Sequence, residues 1–222
     1  MKKYAVIVAA GTGERMKANT PKQFLLLKNK PVLYYTLDAF LKSYDDLLVI
    51  LVLPEEHISK GQEIIDGYFD NSRIQLINGG RTRFHSVQNG LPLIADESIV
   101  FVHDGVRCLV TPDLIHRCYE AAKEFGTAIP VIDCGDSVRI VNEEGNEALD
   151  RMSIKLSQTP QTFHSKILLD AYKIDYKDKF TDDASVVEAF GLKINLIDGE
   201  ETNIKITRPV DLLLAEKILE HR

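Results

Sequence analysis

Residues 47–53 read LLVILVL, an unbroken apolar and β-rich run with no polar face to turn toward water. Such a strand fits where both of its faces are covered, as in a parallel sheet flanked by helices. Further strand-like runs lie at 4–10, 74–77, 99–103, 127–132 and 192–197. Helical apolar spacing fills 32–43, 57–69, 84–95, 112–125, 164–174 and 209–220. Thr111-Pro112-Asp113 and Thr207-Arg208-Pro209 place proline where a first helical turn accepts it. In the final helix Leu212, Leu213, Ala215 and Leu219 read as the core face. This alternation of β and α predicts a doubly wound, mostly parallel α/β sheet. No repeat or low-complexity stretch divides the chain, and 1–222 reads as a single domain.

One segment breaks the rhythm. Residues 133–158 (DCGDSVRIVNEEGNEALDRMSIKLSQ) carry short β-like stretches around NEEGN, the pattern of a protruding hairpin. Two readings stand open on pattern alone: an addition to the sheet edge, or an arm that reaches a second subunit.

Charge and cysteine usage exclude several classes. The net charge is −6 with no long Lys/Arg run, so nucleic-acid binding is not expected. The apolar stretch in MKKYAVIVAAG ends at Gly11 in charged sequence, too short for a membrane span and poor as a signal peptide. Cys108, Cys118 and Cys134 form no CxxC pair, and their odd number argues against a disulfide framework, so a reducing cytoplasm is expected. The histidines lack metal spacing, and His103 reads as a strand-end residue rather than a base.

After the first strand comes Ala9-Ala10-Gly11-Thr12-Gly13, a turn whose backbone N–H groups can approach an anion. It is not a dinucleotide fingerprint, because Met16 stands where that motif needs a small residue. The G-x-x-x-x-G-K-[ST] pattern is absent as well. Arg15, and Lys22 in TPKQF, add two cations to the same loop. That combination suits a triphosphate whose outer two phosphates leave as pyrophosphate.

Six motifs in order then give the chain a likeness: AAGTGERM…PKQF (9–24), GGRTRFHSVQNGL (79–91), VHDGVR (102–107), QTPQTF (158–163), TDDAS (181–185) and NIKITRPVDL (203–212). Together they resemble the 2-C-methyl-D-erythritol 4-phosphate cytidylyltransferase family over nearly the whole chain. The resemblance implies a Rossmann-like nucleotidyltransferase fold and transfer of CMP from CTP to a sugar-alcohol phosphate. It assigns Arg15, Lys22 and Lys205 to the triphosphate as catalytic cations. Ala9, Ala10, Gly11, Thr12, Gly13, Gly79, Gly80, Arg81 and Ser86 would hold the nucleotide, with the glycines and serine reading the cytosine edge. Asp104, Arg107, Ser137, Arg151 and Thr181 would hold the acceptor. The hairpin would insert into the partner of a homodimer, carrying Arg151 to the acceptor phosphate there. Mg2+ would bind mainly through CTP phosphates, with no protein ligand assigned.

Two departures stand out against the family pattern. Where H-D-A-A-R-P is usual, this chain has Gly105, Val106 and Cys108, and Ser137 replaces a common threonine while keeping the hydroxyl. Asp182 and Asp183 begin a helix, either as caps or as site residues. The alternatives are a ribitol-5-phosphate cytidylyltransferase, which shares most of the nucleotide motifs, and a catalytically silent nucleotide sensor.

Overall fold

In the computed structural model, which describes residues 1–11, 20–95 and 97–222, the chain begins with β1 (Lys2–Val8). A small hairpin follows, β2 (Leu26–Leu27) and β3 (Lys30–Pro31), leading into α1 (Val32–Ser43). Strand and helix then alternate: β4 (Leu47–Leu53), α2 (Ile58–Tyr68), β5 (Ile74–Asn78), α3 (Arg83–Gly90), β6 (Ser98–Asp104), α4 (Pro112–Phe125) and β7 (Thr127–Asp133). Next come β8 (Val138–Asn142), β9 (Gly145–Leu149), β10 (Lys155–Ser157) and β11 (Gln161–His164). The chain closes with α5 (Ser165–Ala171), α6 (Asp183–Ala189), β12 (Leu196–Asp198) and α7 (Pro209–Glu220).

The main sheet runs β10-β7-β11-β6-β1-β4-β5, with β12 paired to β7. β5, β4, β1 and β6 are parallel, whereas β11 runs antiparallel to both β6 and β7. From β1 the chain winds outward through β4 and β5, then returns to place β6 on the other side of β1. The order therefore reverses between β1 and β6, and ligands of open α/β sheets bind beyond the strand ends at such a point. Val8 is level with both Val52 and Asp104 there.

Side-chain alternation divides the core into two layers. Ala5, Ile7, Val49, Leu51, Ile99 and Phe101 face α1, α2 and α4, meeting Leu37, Phe40, Ile64, Leu114 and Cys118. Tyr4, Val6, Ile50, Val52, Val100 and Val102 face the opposite way, onto Phe84, Val87, Leu168 and Val187 of α3, α5 and α6. This two-sided burial is what the unbroken apolar run at 47–53 demanded. A third cluster, with Leu27, Val32, Val106, Cys108, Ile206 and Ala215, sits under α7.

Several boundaries differ from expectation, each for a local reason. β1 stops at Val8 because Ala9 and Ala10 belong to the turn. α3 ends at Gly90, since Pro92 converts Leu91–Leu93 into a 3-10 turn. α5 covers only Ser165–Ala171 of the expected 164–174, and the strand expected at 192–197 is reduced to Leu196–Asp198. On α7 only Ala215 is fully buried, Leu212 and Leu219 are partly covered, and Leu213 is 65% exposed, so Leu213 does not belong to the core face. α4 starts as its sequence indicates, with the Thr111 hydroxyl accepting from Leu114 N–H at 3.1 Å. α7 is capped otherwise: the Asp211 carboxylate turns back to accept from the N–H groups of Thr207 and Arg208, both at 2.7 Å. In the 133–158 excursion the edge-addition reading holds for β10, which pairs with β7. Among the described residues β8 and β9 pair only with each other.

Candidate active site

Two cavities open at the reversal point. The larger, about 300 Å3, is lined by Ala9, Ala10 and Gly11 from the first turn, by Lys22, by Gly80, Arg81 and Ser86, and by Asp104 and Lys205. The structure thus gathers nine expected residues from five separate stretches of chain. Thr12, Gly13 and Arg15 lie outside the described residues. The smaller cavity, about 210 Å3, is lined by Arg107 and Thr181 together with Asp104 and Lys205. Arg83, Asp104 and Lys205 line both.

Local chemistry explains how the first turn is held. Gln23, 1% exposed, donates its amide to the Ala9 carbonyl at 2.8 Å, tying the segment that carries Lys22 to the end of β1. Gly79 donates its N–H to Leu53 O at 2.7 Å, and a Cβ there would stand 2.7 Å from that of Ala10. A Cβ on Gly80 would stand 2.5 Å from His85 Cβ and 2.7 Å from its backbone carbon. Only glycine lets α3 start this close to the sheet. The Ser86 hydroxyl is engaged in the same turn, accepting from Gly80 N–H at 3.1 Å and donating to Thr82 O at 2.9 Å.

A charged wall separates the cavities. Asp104 Oδ1 accepts from Arg83 Nε at 3.2 Å, Asp104 Oδ2 accepts from Lys205 Nζ at 2.8 Å, and Arg107 Nε lies 3.8 Å away. Burial alone would raise the Asp104 carboxyl, but Arg83, Lys205 and Arg107 outweigh it and hold the group below the ordinary carboxylate range. Burial likewise opposes the charge on Arg83, yet Asp183 and Asp104 reverse the balance and keep it firmly protonated. On Arg107 burial prevails and its affinity for the proton falls, though Asp104 resists. Arg107 is also fixed through its backbone partners, donating from Nη1 to Asn203 O at 2.8 Å.

His103 is fully buried beneath this wall. Its Nδ1 lies 3.0 Å from Thr159 Oγ1, which itself accepts from Asp104 N–H at 3.1 Å. Burial pushes the imidazole down to about 3 from an ordinary 6.5, the favourable field of Asp104 notwithstanding. The unfolded chain therefore takes up a proton below 6.5 that the folded chain refuses until about 3. Stability from this group should fall as pH drops through that window, by up to about 1.4 kcal/mol per pH unit. Urea unfolding at a series of pH values checks this, and a His103→Gln variant should show a shallower acid slope.

Three expected residues line neither cavity: Gly79, held in the turn behind the larger one, and Ser137 and Arg151. Ser137 and Arg151 lie exposed at the feet of the hairpin, and Arg151 Nη1 donates to Gly135 O at 3.1 Å. The paired aspartates of TDDAS divide their work. Asp182 caps α6, accepting from Ser185 N–H at 2.9 Å, while Asp183 is 0% exposed and accepts from Arg83 Nη2 at 2.7 Å. Arg83, Thr159 and Gln161 went unassigned in the sequence. The signal for the last two was a cluster of polar residues around Pro160, all of which prove buried: Gln161 Oε1 accepts from Ala184 N–H at 2.8 Å, joining β11 to α6.

Comparison with known proteins is consistent across sequence and structure. The IspD model, described as 2-C-methyl-D-erythritol 4-phosphate cytidylyltransferase, matches residues 4–221. Proteins of that name from Phocaeicola vulgatus and Bacteroides thetaiotaomicron are 44% and 45% identical, each covering 99% of this chain and 100% of the relative. Among solved structures, the 4-diphosphocytidyl-2C-methyl-D-erythritol synthase of Anaerococcus prevotii superposes with a TM-score of 0.84 at 27% identity, covering 99% of this chain and 98% of that one. The 2-C-methyl-D-erythritol 4-phosphate cytidylyltransferase of Thermus thermophilus gives 0.77 at 31% identity, covering 99% and 100%.

Proposed function

We infer how this site works from one premise: the chain belongs to the 2-C-methyl-D-erythritol 4-phosphate cytidylyltransferase family. It transfers CMP from CTP to 2-C-methyl-D-erythritol 4-phosphate, releasing pyrophosphate, in isoprenoid biosynthesis. The observation that carries our mechanistic reading is the wall of Arg83, Asp104 and Lys205 shared by two adjoining cavities. CTP occupies the larger cavity and the acceptor the smaller, so that the acceptor phosphate meets the α-phosphorus at their junction.

A phosphate monoester has a second pKa near ~6 and is already largely anionic at neutral pH, so the attack needs no protein base. In keeping with that, no histidine or cysteine lines either cavity among the described residues. The task left to the chain is to bring two polyanions together. Lys22 and Lys205, with Arg15 of the same motif, neutralise the triphosphate and the charge that develops on departing pyrophosphate. The Gly79-Gly80 turn and Arg81 wall off the base, and the tightness of that turn favours a pyrimidine over a purine. Asp104 accepts hydrogen bonds from acceptor hydroxyls, with Arg107 and Thr181 beside it.

Mg2+ fits this site through the substrate rather than through a protein cage. Among the described residues no three His, Cys, Asp or Glu side chains gather as a metal site needs, and Asp104, the one carboxylate lining the larger cavity, has both oxygens on cations. When bound, the ion would be held mainly through the CTP phosphates beside Lys22 and Lys205 and would supply further charge neutralisation.

The hairpin reads as the arm of a homodimer. Its strands β8 and β9 stand apart from the main sheet, Val141 and Met152 are 76% and 77% exposed, and Arg151 lines neither of the chain's own cavities. A cytoplasmic setting suits the three free cysteines. Pyrophosphate release from CTP and Mg2+ with either methylerythritol phosphate or ribitol 5-phosphate tests the reading. Release should require methylerythritol phosphate. Turnover with ribitol 5-phosphate instead would reassign the acceptor, and CTP binding without turnover would make the chain a sensor.

A further inference from the structure

Arg83 stands at the junction of the two cavities, yet its hold comes from the interior. Its Nη2 reaches Asp183 Oδ2 at 2.7 Å while its Nε reaches Asp104 Oδ1 at 3.2 Å. Asp183 is 0% exposed and lines neither cavity. Its other oxygen accepts the Tyr172 hydroxyl at 2.7 Å. Tyr172 is buried in turn, its ring stacked on Phe84 at a centroid distance of 4.6 Å, and Phe84 directly follows Arg83 on α3. Burial raises the Tyr172 phenol, and the Asp183 charge adds to that, so the hydroxyl stays a donor.

A carboxylate withdrawn from water persists only when its oxygens are satisfied by charge and hydrogen bonds. Asp183 meets that condition with one guanidinium, at the start of α3, and one phenol, from Tyr172 just past the end of α5. The planar guanidinium fork, gripped at two of its nitrogens, cannot swing without breaking a buried ion pair. Asp104 is different, because Arg83, Arg107 and Lys205 all stand within 4 Å of its two oxygens. Its orientation is therefore set by whichever cation is itself fixed.

We propose that Arg83 is a positioning residue: anchored by the buried Tyr172–Asp183 pair, it fixes Oδ1 of Asp104 and leaves Oδ2 to Lys205 and the acceptor. Without the anchor Arg83 turns fully onto Asp104, and the carboxylate loses the orientation in which it meets acceptor hydroxyls. The inference rests on the acceptor role of Asp104 given above.

Two variants test it. Asp183→Asn keeps the shape and removes the charge, and Tyr172→Phe keeps the stacked ring and removes only the hydroxyl. Asp183→Asn should raise the acceptor KM about tenfold while the CTP KM stays within about twofold, the scale of one misdirected charged hydrogen bond. Tyr172→Phe should move the same constant in the same direction, by about threefold. A purely structural role lowers Tm and the active fraction but leaves both KM values alone. If both variants keep the acceptor KM while Asp104→Asn raises it, the anchor is overturned and the acceptor reading survives. If Asp104→Asn also leaves it unchanged, both fall together. Should Asp183→Asn fail to fold, Tyr172→Phe decides on the same criteria.

Discussion

Lys22→Ala is expected to lower kcat about 10²–10³-fold while leaving the acceptor KM within about twofold, the range for deleting one preorganised donor to transition-state charge. The reason lies in how the ammonium is held. Lys22 is 8% exposed, follows Pro21 in a short 3-10 turn, and precedes Gln23, whose amide grips the Ala9 carbonyl at 2.8 Å. The segment that carries Lys22 is thereby tied to the Ala9-Ala10-Gly11 turn, beside which Lys22 lines the cavity. Negative charge grows on pyrophosphate as the bond to the α-phosphorus breaks, and a fixed cation stabilises that growth more than it stabilises bound CTP. Steady-state and single-turnover kinetics read the effect directly, and an unchanged kcat would remove Lys22 from the transition state.

Arg151→Ala should raise the acceptor KM about 10²-fold with little change in the CTP KM, as expected when a guanidinium fork to a phosphate is lost. Among the described residues of its own chain, the Arg151 guanidinium donates to the Gly135 carbonyl alone, at 3.1 Å. Mixing makes the test sharp. If the arm serves a partner's site, as proposed above, a heterodimer of Lys22→Ala and Arg151→Ala chains would contain one site with a sound cavity and a sound arm. Random reassortment of equal amounts should restore about a quarter of the wild-type sites. No recovery on mixing would mean that the arm serves its own chain, or none.

The sheet was legible because its signal is redundant. Seven apolar residues at 47–53 cannot lie on a one-sided sheet, and alternation in β1 and β6 then fixes which side chains meet which helices. β11 was not legible as a strand: Gln161–His164 is short, follows a proline, and runs antiparallel to both its neighbours, β6 and β7, so its tertiary partners define it. Leu213 misled for a related reason, since helical spacing locates an apolar face but not the width of surface available to cover it.

Within the site, the residues that declare themselves in sequence are those whose type is unusual for their place, such as glycine pairs and isolated cations beside strand ends. Arg83 was hidden because an arginine at the start of a helix looks like solvated surface. Its meaning depends on Asp183, a hundred residues further on. Asp182 and Asp183 are adjacent and chemically identical, and nothing local says which one turns inward. That is settled by Tyr172 and Gln161, whose own positions follow from packing.

The last contributor to the larger cavity has a consequence for how the protein is made. Residues 203–206 are clamped onto the β6 turn: Ile206 N–H donates to Val106 O at 3.0 Å, Arg107 reaches Asn203 O, and Asn203 donates its amide to Thr159 O at 2.8 Å. Lys205 therefore arrives only after the sheet it closes against has been laid down. A ribosome-bound chain can hold a folded β/α layer and still lack the cation that completes the lining of the larger cavity, proposed above as the nucleotide site. Stabilisation by the nucleotide, which favours whatever state binds it, is thus reserved for chains that have emerged past this clamp.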